Sequence, residues 1–65
     1  MKMANFTPDE LTEAIERLAV IHGQVSSLGH VAQSYGQLEI SDPAREAADA
    51  LDRLMAAIAK RKSNA

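Results

Sequence analysis

The chain contains no cysteine, which excludes disulfide staples, thiolate metal sites and thiol nucleophiles and gives no sign of an oxidising compartment. Aromatics are nearly as scarce. Phe6 and Tyr35 are the full complement and tryptophan is absent, so the core must be aliphatic and no stacking platform for bases is available. There is no long apolar run either. The greasiest stretch, Leu18 to Ala32, is interrupted by His22, Gly23, Gln24, Ser26, Ser27, Gly29 and His30, whereas a membrane span needs about twenty mostly apolar residues. The N-terminus reaches Pro8-Asp9-Glu10 with no apolar segment of the secretory kind before it. Basic charge is in deficit, with a net charge of −2, which opposes general nucleic-acid binding. These absences lead to the expectation of a cytoplasmic protein with no membrane contact.

What remains is a chain of 65 residues, 46% hydrophobic and 25% charged, enough for one folded domain spanning 1–65. Thr7-Pro8-Asp9-Glu10 marks a helix start. Thr7 serves as N-cap, Pro8 occupies the first helical position where a missing N–H costs nothing, and Glu10 stands three residues on, as a capping box requires. Phe6 and Leu11 have the spacing of a hydrophobic staple, and Asp9, Glu10 and Glu13 oppose the helix dipole. The pattern predicts a first helix over 8–35, ending at Gly36 in a left-handed conformation. A loop is expected at 36–41. A second helix is expected over 42–62, with Asp42 as cap, Pro43 at the first position and Lys60, Arg61 and Lys62 at the negative end of its dipole. No alternating run long enough for a strand is present. The fold class is all-α: an antiparallel two-helix hairpin. Gly23 and Gly29 weaken the first helix, so a break near 23–27 giving three helices is the structural alternative.

Leu11, Ala14, Leu18, Ile21, Val25, Leu28, Ala32 and Tyr35 recur at spacings of three and four, the pattern of a helical seam. Ala44, Ala47, Leu51, Leu54 and Ile58 answer them on the second helix. Ile15, Val20 and Val31 fall off the first seam and Met55 widens the second. Below about 70–80 residues a single core rarely supplies more than about 3–5 kcal/mol, and this chain has neither disulfide nor evident metal cluster. Association is the remaining remedy, most simply a homodimer closing into a four-helix bundle. From Leu18 to Leu38 there is no Asp, Glu, Lys or Arg, the charge depletion typical of an interface centre. Ala19, Gly23 and Ser27 add a row of small residues. The candidate dimer or partner interface is therefore Ile15, Val20, Gly23, Ser27, Val31 and Met55.

Chemistry finds little support. His22 and His30 lie eight residues apart, about 12 Å along a helix, too far to share one metal. Ser26 and Ser34 are each one turn from His30, but nothing nearby would orient the imidazole or bind an oxyanion. The acidic residues near Pro8 are accounted for by the dipole. No enzyme activity, metal or cofactor is expected. The basic cluster Lys60, Arg61 and Lys62 is the one candidate for nucleic-acid contact. In layout the expected dimer resembles the four-helix bundles of the ROP type, RNA-binding proteins of plasmid copy control; no motif is shared, and the acidic front of the first helix opposes that use. The sequence reads as a non-enzymatic interaction module that homodimerises and regulates or inhibits a partner protein, with a nucleic-acid-binding regulator as the alternative.

Overall fold

In the computed structural model, which describes residues 6–64, the chain forms α1 (Pro8–Ser34) and α2 (Leu38–Ser63), with no strand among the described residues. The start of α1 is as its sequence dictates. The Thr7 hydroxyl accepts a hydrogen bond from the Glu10 N–H at 3.2 Å, and the Thr7 N–H donates to the Glu10 carboxylate at 2.8 Å. These two bonds satisfy backbone donors that the first turn cannot pair internally. Phe6 and Leu11 border the same hollow, with Phe6 exposed. Glu13 and Arg17, one turn apart, form an exposed ion pair.

The first helix runs unbroken through Gly23 and Gly29, so the three-helix alternative is not realised. Gly29 has a specific reason to be there. A Cβ at that position would lie 3.1 Å from the Cβ of Ala44, so the missing side chain lets the two backbones come together. α1 ends in a Schellman turn: the Gln37 N–H reaches the Ala32 carbonyl at 2.8 Å and the Gly36 N–H reaches that of Gln33 at 3.0 Å. Gly36 supplies the required positive φ, +72°.

The second helix departs from expectation. It begins at Leu38, not at Asp42, and Pro43 lies inside it. Leu38–Ser41, expected in the loop, is therefore helical. The turn itself explains the difference. Gln37 leaves the Schellman motif with its carbonyl already aimed along the next axis, and it accepts from both the Ile40 N–H (3.1 Å) and the Ser41 N–H (3.0 Å). Continuing the helix buries Ser41 and Ala44 against α1. The cost is one hydrogen bond, to the Glu39 carbonyl, that Pro43 has no N–H to make. At the far end Lys60, Arg61 and Lys62 occupy the last turn, where cations offset the dipole.

Between the helices lie Leu11, Ile15, Leu18, His22, Val25, Gly29 and Ala32 of α1, and Ser41, Ala44, Ala48, Leu51, Met55 and Ile58 of α2, all buried or half-buried. Both sets alternate spacings of four and three, the period of antiparallel helices packed ridge into groove at a shallow angle. The α1 seam is thus turned one position from the expected one. Ile15 and Met55 are inside it, while Ile21 and Leu28 are 43% and 57% exposed. The interior is thin. Among the described residues Leu11, Ala32 and Ala44 are the buried apolar ones, and no large side chain is wholly enclosed.

Candidate interaction surface

Two helices side by side make one layer with two broad sides, and the sequence equips those sides differently. On one of them Ser26, His30 and Gln33 of α1 line a cleft of about 200 Å³ with Arg45 of α2. Polar pairs cross between the helices here. His22 Nε2 lies 3.1 Å from an Asp52 carboxylate oxygen, and the Arg45 guanidinium donates to Gln33 Oε1 at 3.4 Å. Ser41, at the floor of this side, is buried and its hydroxyl has no hydrogen-bond partner among the described residues.

The opposite side is apolar. At its open end Phe6, ahead of α1, and Leu11 and Ala14 of α1 face Ala57, Ile58 and Arg61 of α2 across a hollow of about 600 Å³. Residues seven apart on a helix share a face. Ala14 is therefore continued toward the turn by Ile21 and Leu28, and Arg61 is continued by Leu54, Ala47 and Ile40. Val31 flanks Leu28, in a row whose other members, Gln24, Arg17 and Glu10, are polar, and Pro43, Ala50 and Ala57 flank the α2 row. Ile21, Leu28, Val31, Ile40 and Leu54 are all exposed apolar side chains. Monomeric proteins expose single apolar residues routinely, but a contiguous apolar side marks a surface meant to be covered.

The residues singled out from sequence divide among these environments. Ile15 and Met55 are half-buried between the helices, so part of each side chain packs within the hairpin and part remains exposed. Val20 and Ser27 lie exposed on the ridge of α1 that points away from α2, and Gly23 faces open space. Val31 alone of that set borders the apolar side. Lys60, Arg61 and Lys62 are exposed in the last turn, with Lys60 and Arg61 at the rim of the hollow.

Sequence reasoning assigned Ile21, Leu28 and Leu54 to the seam and Ile40 to the loop, and so missed them as surface. The signal available was a second row in α1, Ile15–His22–Gly29, four residues after Leu11, Leu18 and Val25 where the row Ala14–Ile21–Leu28 is three, so that both complete a seam of threes and fours. Among the described residues no group of His, Cys, Asp or Glu side chains is arranged to hold a metal ion, and no helix is long and apolar enough to cross a membrane. Compared with known proteins, the chain matches no family model, no curated protein and no solved structure.

Proposed function

We propose that the protein is a non-enzymatic interaction module, a helical hairpin that homodimerises and in that form regulates or inhibits a partner protein. One observation carries this reading: the described fold is a single layer of two helices, where a stable domain ordinarily packs two. The hairpin measures 47 × 22 × 17 Å with a radius of gyration of 14.9 Å, against about 11 Å for a closely packed chain of this length. Its clefts are shallow and open, unlike the enclosed pockets that hold small substrates. The competing use, nucleic-acid contact through Lys60, Arg61 and Lys62, has less support. Those cations already complement the α2 dipole, and α2 carries Glu39, Asp42, Glu46, Asp49 and Asp52 along its length, which repel phosphate.

Molar mass by light scattering, together with the thermal midpoint at several protein concentrations, tests the proposal. A dimer whose midpoint rises with concentration and which brings down a substoichiometric partner from its native cell is the expected result. A heat-resistant monomer at micromolar dilution overturns it. DNA or RNA binding that persists at low salt and fades as salt rises would replace it with the nucleic-acid reading.

A further inference from the structure

We infer that the apolar side of the hairpin, carrying Ile21, Leu28, Val31, Ile40 and Leu54, is a twofold interface that takes a second copy of this chain face to face. The inference rests on the self-association proposed above and names the surface responsible. Area supports it first. The chain exposes 5177 Å², whereas a folded monomer of 7.0 kDa is expected to expose about 4,000 Å². The surplus, about 1,200 Å², exceeds the roughly 800 Å² per partner that a standard interface buries.

Shape and charge favour a second copy as the occupant. A closed twofold contact is isologous, so its surface must complement itself. On this side α2 alternates large and small residues (Ile40, Ala47, Leu54) beside Ala50 and Ala57, and α1 presents Ile21 and Leu28, so the large side chains of one copy have small ones on the other to seat upon. A chain of net charge −2 also repels its own copy unless the acids are held off the contact. Along most of this side they are: α1 carries no charged residue from Leu18 to Leu38, and on α2 Ile40, Pro43, Ala47, Ala50, Leu54 and Ala57 are uncharged, with the cation Arg61 closing the Ile40 row at the rim of the hollow. Asp42, Asp49 and Asp52 belong to the polar side of α2, and Glu39 and Glu46, seven apart, to its outward ridge.

Light scattering of the whole chain and three variants, with circular dichroism on the same samples, tests this. The native chain and Ser27→Glu, which places its charge on the outward ridge of α1, are expected at twice 7.0 kDa. Leu28→Glu and Leu54→Glu are expected at half that mass with their helical signal retained. Where a glutamate unfolds the hairpin, Leu28→Ser and Leu54→Ser probe the same side more gently, and a fall in mass with helicity kept is again the supporting result. A native dimer that persists in the folded Leu28 and Leu54 variants overturns the assignment of this side while leaving self-association standing. Dissociation by Ser27→Glu places the interface on the ridge and overturns it equally. A native chain at 7.0 kDa throughout the micromolar range removes both the interface and the dimer.

Discussion

The two helical glycines of α1 provide a controlled pair in which the same substitution should act differently. Alanine is favoured over glycine in a helix interior by about 1 kcal/mol, and that gain applies equally to Gly23→Ala and Gly29→Ala. At Gly23 a new Cβ meets nothing within 4 Å, so the full gain should appear as a rise in midpoint of about 4–8 °C for a domain of this size. At Gly29 the new Cβ would stand 3.1 Å from the Ala44 Cβ, with the Ser41 carbonyl oxygen at 3.9 Å. Relief requires the helices to part, and the Schellman turn a few residues away holds them together. Overpacking of this kind costs about 1–3 kcal/mol, which cancels the propensity gain or exceeds it. Gly29→Ala is therefore expected to be unchanged to about 2 kcal/mol less stable than the native chain. Urea and thermal denaturation at one fixed protein concentration would read both. Equal stabilisation by the two substitutions would refute the close helix approach at Gly29–Ala44, and with it the seam described above.

Other substitutions test separate parts of the fold. Thr7→Ala removes the cap hydroxyl that accepts from Glu10 N–H and should lower stability by about 1 kcal/mol; an unchanged urea midpoint would mean that the box contributes nothing in solution. Leu11 is the most deeply buried large side chain, 3% exposed, and Leu11→Ala should cost about 2–5 kcal/mol. That is comparable with the whole stability of so small a domain, so the helical circular dichroism should collapse. Ser41→Ala removes a buried hydroxyl that lacks a partner and should stabilise by about 1 kcal/mol; a loss instead would show that the hydroxyl makes a bond in solution. Gly36→Ala forces a Cβ into a residue at φ +72° and should cost about 1 kcal/mol, read in the same denaturation series.

Much of this molecule is local and therefore legible in its residues. The Thr7–Glu10 box, Pro8 at the first position of α1 and Gly36 at its end each act through backbone geometry within a few residues, so no knowledge of the fold was needed to place them. The start of α2 was different. Asp42-Pro43 is a sound local signal for a helix beginning, yet the turn at Gly36–Gln37 launches the helix four residues earlier, because burying Ser41 and Ala44 against Gly29 outweighs the one backbone bond lost at Pro43. Local preference was overruled by packing.

The sequence by itself determined the two helices, their antiparallel order and a seam of period three and four. It could not determine the phase of that seam, because Leu11, Leu18, Val25 and Ala32 pair equally well with the row at Ile21 and Leu28 or with the row at His22 and Gly29. Tertiary structure decided for the second. Glycine at 29 and the small residues at 41 and 44 allow the closest backbone approach there, and His22 finds Asp52 across the gap. That rotation turns Ile21 and Leu28 outward, onto the same side as Leu54 and Ile40. Periodicity fixes how often a side chain returns to a face; only the neighbouring helix fixes which face is covered.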